Sequence, residues 1–268
     1  MDISNVAMGR FFGKSEGSIR HTEANFPRIY EAMVKLFREE EARKKEAIDM
    51  SKKVVIATVA LKGGVGKSTT SNLLQSSTKQ PSIIINTDDQ DANSSNASEA
   101  INLYELSEDG IDLKTAIEGC LEDFDTVIVD TPGEVVGPVA DMIAYTRNFI
   151  VPVVPGNRSV DYTKQTIDVL MDIYDQDKKP KICFIINNFA DEDEREEVQK
   201  AIEDHIQTYS DKMKYTFTKL NHSKTIRTME NKKASIAKLS KTNRVAYNVA
   251  KKRIDTMTAE VKAFFGVE

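Results

Sequence analysis

Short aliphatic runs alternate with longer polar segments through the larger, later part of the chain. Five such runs are Val54 to Leu61, Ile83 to Asn86, Thr126 to Asp130, Phe149 to Val154 and Ile182 to Asn187. Nearly continuous apolar runs of this length are typical of strands buried on both faces, and the polar segments between them suit crossover helices. The pattern predicts an α/β fold, with a doubly wound, mainly parallel sheet flanked by helices.

Residues 1–50 lack these runs, and we predict a small all-helical extension there, followed by one α/β domain over residues 51–268. A long charged linker helix is expected from Arg28 to Met50. Its apolar stripe would consist of Ile29, Met33, Leu36 and Phe37. A second helical region is expected from Ser223 to Phe265, with an inward stripe of Val245, Val249, Met257, Val261 and Phe264.

The segment from Ile3 to Glu23 fits a helix-turn-helix. Gly13 lies at the predicted turn, and Ile19 falls where the second helix would meet its core. Arg20 and His21 would then face outward, toward the major groove of DNA. A plain helical hairpin that serves dimerisation is the alternative.

Composition sets limits on the class of protein. With 268 residues, 40% of them hydrophobic, the chain can bury one substantial core and carry a small appendage. Neither end has a long apolar run, so we expect a cytoplasmic protein without a membrane partner. Two cysteines, Cys120 and Cys183, are too few for a disulfide framework.

Charge is unevenly distributed along the chain. The net charge is -5, yet residues 211–268 contain fourteen Lys and Arg against five Asp and Glu. A basic segment of this kind is typical of a surface that meets a polyanion, because phosphate contacts release counterions. A solvated basic helical face explains the composition equally well.

The residues Lys62 to Thr69 read K-G-G-V-G-K-S-T and lie between the first run and a polar, helix-compatible stretch. Glycines let backbone N–H groups turn inward and converge with a helix N-terminus on one anion. Lys67 can reach the outer phosphates, and the Ser68 hydroxyl can ligate magnesium. We therefore predict a site for ATP and Mg²⁺. Its loop residues are Lys62, Gly63, Gly64, Val65, Gly66, Lys67, Ser68 and Thr69.

The ordinary phosphate-loop motif has a glycine where this chain has Leu61, and here Lys62 stands just ahead of the glycines. This variant resembles the deviant Walker A motif of the ParA/MinD family, whose members partition DNA or position the cell-division machinery. The resemblance implies a weak, magnesium-dependent ATPase that dimerises on ATP. It also implies that Lys62 crosses the dimer interface to the partner's phosphates.

Two further motifs resemble segments of the same family. The second run ends I-I-I-N-T-D-D-Q, where Asp88 and Gln90 match the family's D-x-D-P-Q and Asn86 replaces its first acid. The third run ends D-T-P-G, which resembles a Walker B segment and begins at Asp130. The resemblance implies that Asp88 acts in hydrolysis beside Lys62 and Lys67, and that Asp130 holds Mg²⁺ through water.

Binding of the nucleotide base is assigned to residues at the ends of the last two runs. The resemblance implies that Asn187 faces the adenine edge and that Pro155 flanks the ring. An asparagine at the end of a strand can instead cap the following turn, and this alternative stays open.

In ParA proteins the chain after the last strand holds nonspecific DNA when ATP is bound. The residues that match here are Arg227, Lys232, Lys233, Lys241 and Arg244. Larger plasmid ParA proteins also carry an N-terminal DNA-binding extension that represses their own operon, and this chain resembles a compact version. We thus expect a nucleoid-associated DNA-partition ATPase. Its hydrolysis would be stimulated by a centromere-binding, ParB-like adaptor protein.

Two other functions are consistent with the nucleotide motif. A MinD-like membrane-positioning ATPase would need a C-terminal amphipathic helix, whereas Val261 to Glu268 is short and ends in an acid. An ATP-sensing transcriptional regulator would depend on Arg20 and not on Asp88. A nitrogenase-reductase-type enzyme is excluded by the placement of the two cysteines.

Overall fold

A computed structural model describes Met8 and residues 12–25, 27–47, 53–87, 100–108, 110–133, 146–173, 179–209, 211–220 and 244–267. The chain divides into two compact units, Met1–Lys52 and Lys53–Glu268. In the described part, no helix is both long enough and apolar enough to cross a membrane.

The first unit contains helices α1 (Glu16–Asn25) and α2 (Pro27–Ala47). Helix α1 begins after a turn at Gly13, where φ is +61°, and the Ser15 hydroxyl accepts a hydrogen bond from the Ser18 N–H at 3.2 Å. Met8, Ile19 and Phe37 form a small buried cluster. The preceding helix of the predicted helix-turn-helix falls largely outside the described residues, so that motif stays a prediction.

The apolar stripe predicted for the linker helix is partly wrong. Ile29 and Leu36 are 55% and 54% exposed. The packed face of α2 instead carries Tyr30, Met33, Val34 and Phe37, which follow the i, i+3, i+4, i+7 spacing of one helix face. Ile29 and Leu36 lie one position before Tyr30 and Phe37, so the helix turns them away from the cluster.

The second unit is built on a seven-stranded sheet in which every pairing is parallel. The spatial order is β3-β2-β4-β1-β5-β6-β7. The strands are β1 (Val54–Thr58), β2 (Ser82–Asn86), β3 (Ala100–Asn102), β4 (Thr126–Asp130), β5 (Asn148–Val153), β6 (Lys181–Asn187) and β7 (Lys214–Leu220). This arrangement confirms the predicted fold class.

The helices of this unit cover both faces of the sheet. Those in the described residues are α3 (Lys67–Ser77), α4 (Leu103–Glu108), α5 (Leu113–Asp123), α6 (Asn157–Ile173), α7 (Glu192–Ile206) and α8 (Arg244–Phe265). Alternate residues of β4 enter opposite cores: Val127 and Val129 pack with α5, α6 and α7, whereas Ile128 packs with α3 and α8. This alternation follows from the two-residue period of a strand.

The stripe predicted for the last helix is also partly wrong. Val245 is 76% exposed and Val249 is 47% exposed. The buried row of α8 consists of Ala250, Ile254, Met257, Val261 and Phe265. Continued toward the start of the helix, that row reaches Tyr247, so Val245 and Val249 in the first two turns face solvent.

Candidate functional site

The glycine-rich loop connects the carboxyl end of β1 to the start of α3. Gly64 and Gly66 have φ values of +72° and +98°, a region that glycine enters without strain. Gly66 is the N-cap of α3 and has no side chain with which to cap it. The positive end of the helix dipole therefore faces the loop, as an anion site requires.

The two lysines of the loop have different surroundings. Lys67 is the first residue of α3 and is only 8% exposed. A Cβ at Gly133 would lie 3.6 Å from the Lys67 Nζ and 3.3 Å from the Gly63 backbone, so the D-T-P-G loop lies directly against the phosphate loop. Lys62 lies in the bend before the glycines and is half-buried. Lys67 is thus enclosed, whereas Lys62 is only half-buried.

Asp130 lies at the tip of β4, in register with Thr58 of β1 and Asn86 of β2. Its side chain is buried, and both the N–H and the hydroxyl of Thr87 donate to its backbone carbonyl at 3.0 Å. The Thr131 hydroxyl donates to the Thr58 carbonyl at 2.8 Å. These bonds fix the three strand ends beside the loop.

Asn187, at the end of β6, contacts the phosphate loop itself. Its Nδ2 donates to the Val65 carbonyl at 2.8 Å, and the residue is 1% exposed. A Cβ at Gly66 would lie 3.1 Å from the same Nδ2, so this close approach favours glycine at 66. The next residue, Asn188, has φ +56°, a left-handed conformation that asparagine tolerates. The adenine contact assigned to Asn187 stays a prediction.

The structure brings most of the predicted nucleotide residues to one edge of the sheet. The loop residues from Lys62 to Thr69, Asp130 and Asn187 lie there, because all of them follow or end parallel strands. Pro155 follows β5 at the same edge and is half-buried. Asp88 lies outside the described residues.

Three of the DNA-binding candidates, Arg20, His21 and Arg244, lie in the described residues. Arg20 is exposed on α1 and pairs with Glu16, and the exposed His21 contacts Asn25 through Nδ1 at 3.1 Å. Arg244 is exposed at the start of α8. Four candidates, Arg227, Lys232, Lys233 and Lys241, lie outside the described residues.

Sequence reasoning missed one contact that supports the bend before the phosphate loop. Thr166 on α6 accepts a hydrogen bond at 3.2 Å from the N–H of Leu61, the residue before Lys62. No motif contains Thr166, and 105 positions separate the pair. No local signal could have identified it.

The donors at this edge suit magnesium. In the described part of the chain, no three His, Cys, Asp or Glu side chains group to hold a metal ion. The Ser68 hydroxyl and the Asp130 carboxylate are oxygen donors, which Mg²⁺ prefers, but two are too few for a complete shell. The arrangement fits an ion that arrives with phosphate oxygens and water.

A strand, a glycine loop and a helix at the carboxyl edge of a parallel sheet define a P-loop nucleotide-binding domain. The sequence profile of the CobQ/CobB/MinD/ParA nucleotide binding domain matches residues 56–251. The chain therefore belongs to this family, and the resemblance to ParA/MinD proteins is confirmed. No curated protein matches the chain in sequence.

Solved structures share the fold at low sequence identity. An ATP complex of a Cyanothece McdA variant has a TM-score of 0.58 at 14% identity, over 81% of this chain and 98% of McdA. The septum site-determining protein MinD of Pyrococcus horikoshii, complexed with Mg-ADP, has a TM-score of 0.55 at 14% identity, over 78% and 96%. The ParA family ATPase of Chlorobium tepidum has a TM-score of 0.52 at 12% identity, over 78% and 96%.

Proposed function

We propose that this chain is a DNA-partition ATPase that dimerises on ATP, holds nonspecific DNA as a dimer and releases it after hydrolysis. A ParB-like, centromere-binding adaptor stimulates the hydrolysis. The observation that carries the proposal is the pair of lysines in one loop, with Lys67 enclosed against Gly133 and Lys62 half-buried. A cation supplied to a partner's phosphates stabilises the charge that develops in phosphoryl transfer.

Within one protomer, the loop amides and Lys67 bind the phosphates of ATP. Ser68 and Asp130 would hold Mg²⁺, which neutralises phosphate charge when bound. Asp88 orients the attacking water, and Asn187 and Pro155 hold the base. Lys62 then acts on the nucleotide of the second protomer, so ATP joins the two subunits.

The charges of the described helices support a DNA contact on the α8 side of the sheet. Helix α8 carries five Lys and Arg against two Asp and Glu, whereas α7, on the other face, carries seven Asp and Glu against two Lys and Arg. Lys79, Lys251 and Lys262 line a groove of about 590 Å³ along α8, together with Asp255, which pairs with Lys251. This face would add to the nonspecific DNA-binding residues predicted from the sequence, which include Arg244. Arg20 and His21, in the N-terminal unit, would bind operator DNA.

The decisive experiment measures ATP turnover alone, with nonspecific DNA, with candidate adaptor, and with both. Partition predicts low turnover that rises most with both additions. Gel-shift binding at several salt concentrations, with and without a slowly hydrolysed ATP analogue, tests the switch. Equal DNA affinity with and without the analogue would refute ATP-dependent DNA binding. Turnover that responds to neither addition would favour the ATP-sensing regulator, and ATP-dependent liposome co-sedimentation would favour the membrane positioner.

A further inference from the structure

Helix α6 contributes a buried hydroxyl to the segment that leads into the phosphate loop. The Thr166 Oγ1 accepts from the Leu61 N–H at 3.2 Å and donates to the Tyr162 carbonyl, one turn earlier in α6, at 2.8 Å. Thr166 is 2% exposed. Because its hydrogen is committed to Tyr162, the hydroxyl presents a lone pair to Leu61 in a fixed direction.

This bond acts at the bend that carries Lys62. The backbone is held by the sheet as far as Val59, whose N–H donates to the Ile150 carbonyl at 2.9 Å. Beyond that point the chain leaves regular structure until α3 begins at Lys67. The hydrogen bond from the Leu61 N–H to the Thr166 hydroxyl therefore fixes the backbone just before Lys62. It thereby sets the point from which the Lys62 side chain extends.

We propose that Thr166 is a positioning residue for Lys62, through which α6 sets the reach of that lysine toward a second subunit. The proposal rests on the proposed function, in which Lys62 serves the partner's nucleotide. A side chain that must bridge two subunits loses effect when its anchor shifts by about 1 Å. The Thr166 bond should thus affect dimerisation more than phosphate binding within one protomer.

The chain offers a matched control one turn away. Thr163 is also buried on α6, and its hydroxyl donates to the Ser159 carbonyl at 3.0 Å, as Thr166 does to Tyr162. Thr163→Val and Thr166→Val each replace a hydroxyl by a methyl group of similar shape. Only Thr166→Val also removes the acceptor of the Leu61 N–H. Thr166→Ser keeps that acceptor.

The test measures two quantities in the full-length protein. Sedimentation velocity with a slowly hydrolysed ATP analogue reports dimerisation, and titration with ADP reports nucleotide binding within one protomer. We expect Thr166→Val to weaken dimerisation about tenfold or more. ADP affinity should stay within about twofold of the wild type, and Thr166→Ser and Thr163→Val should behave like the wild type.

Two results would overturn the assignment of Thr166. One is wild-type dimerisation of Thr166→Val; the other is equal loss in Thr163→Val, which would indicate packing alone. If Thr166→Val does not fold, as thermal melting would show, Thr166→Ala takes its place in the same comparison. A wild type that binds no nucleotide or never dimerises would instead refute the proposed function, so the two failures are distinguishable.

Discussion

Replacing Asn187 by alanine should loosen the phosphate loop more than it weakens the fold. The change removes the Nδ2 donor that lies 2.8 Å from the Val65 carbonyl, and Val65 is itself only 3% exposed. A buried acceptor that loses its donor costs about 1–3 kcal/mol. At roughly 2–4 °C per kcal/mol for a domain of this size, a loss of about 2 kcal/mol lowers Tm by about 4–8 °C.

Asn148→Ala is the matched control for this change. Asn148 is a half-buried asparagine whose Nδ2 likewise donates to a backbone carbonyl, that of Val55, at 3.1 Å. Val55 lies at the amino end of β1, and the phosphate loop follows its carboxyl end. Both variants lose a hydrogen bond, but Asn148→Ala should lose less stability because the Thr146 hydroxyl also donates to the Val55 carbonyl. Only Asn187→Ala should lose nucleotide affinity.

The assay combines thermal melting with titration of ATP and of inorganic triphosphate. A loop that must be reordered on binding should raise the Kd of Asn187→Ala about five- to tenfold, equivalent to about 1–1.4 kcal/mol, for both ligands. Affinity unchanged from that of Asn148→Ala would refute the reasoning. A larger loss for ATP than for triphosphate would report the adenine contact proposed for Asn187, and a loss confined to ATP would refute its role through the loop.

Three further predictions concern the loop and the core. Lys62→Ala should bind nucleotide as a monomer but fail to dimerise with ATP in sedimentation, and dimerisation like that of the wild type would contradict its role across the interface. Gly66→Ala should lower Tm and abolish nucleotide binding, because residue 66 has φ +98° and its new Cβ would lie 3.1 Å from the Asn187 Nδ2. Gly110→Ala, at φ +76° with open space around it, should cost only about 1–2 kcal/mol of strain and leave binding intact. Burial raises the pKa of the Cys183 thiol to about 12, so it should stay protonated and resist Ellman's reagent at pH 8 until the protein unfolds. Because Cys120 is also free and only half-buried, rapid reaction of both thiols in the native protein is the result that would contradict this.

The hydrophobic pattern predicted the five strands that are buried on both faces, because such strands need uninterrupted apolar runs. It missed β3 and β7, which lie at the two edges of the sheet. Strand β3 has three half-buried residues, and β7 reads K-Y-T-F-T-K-L with only Thr218 and Leu220 buried. An edge strand has solvent on one side, so its sequence resembles a polar loop.

The errors in the helices have a different cause. The stripes predicted for α2 and α8 included Ile29, Leu36, Val245 and Val249, which the structure leaves exposed. Composition indicates which residues could be buried. Which face is buried depends on the direction from which the rest of the fold approaches, and that information is not local.

The contacts that shape the site could not be predicted from the sequence, for the same reason. The motifs identified the loop and Asp130 because strand, loop and helix are consecutive in the chain. Asn187 and Val65 are 122 positions apart, and neither their hydrogen bond nor that of Leu61 and Thr166 follows from either segment alone. The order of the strands in space brings these segments together at the loop.

Three separate elements therefore hold three parts of one loop. The end of β6 holds Val65 through Asn187, the segment after β4 lies against Gly63, and α6 holds Leu61 through Thr166. The first two act on the part that surrounds an anion at the start of α3, and the third acts on the bend before Lys62. Because Lys67 and Lys62, which we propose to serve a protomer's own phosphates and those of its partner, lie in parts of the loop held by different elements, binding and dimerisation should be separable. Asn187→Ala should lower nucleotide affinity in the monomer, whereas Thr166→Val should leave that affinity intact and weaken the dimer.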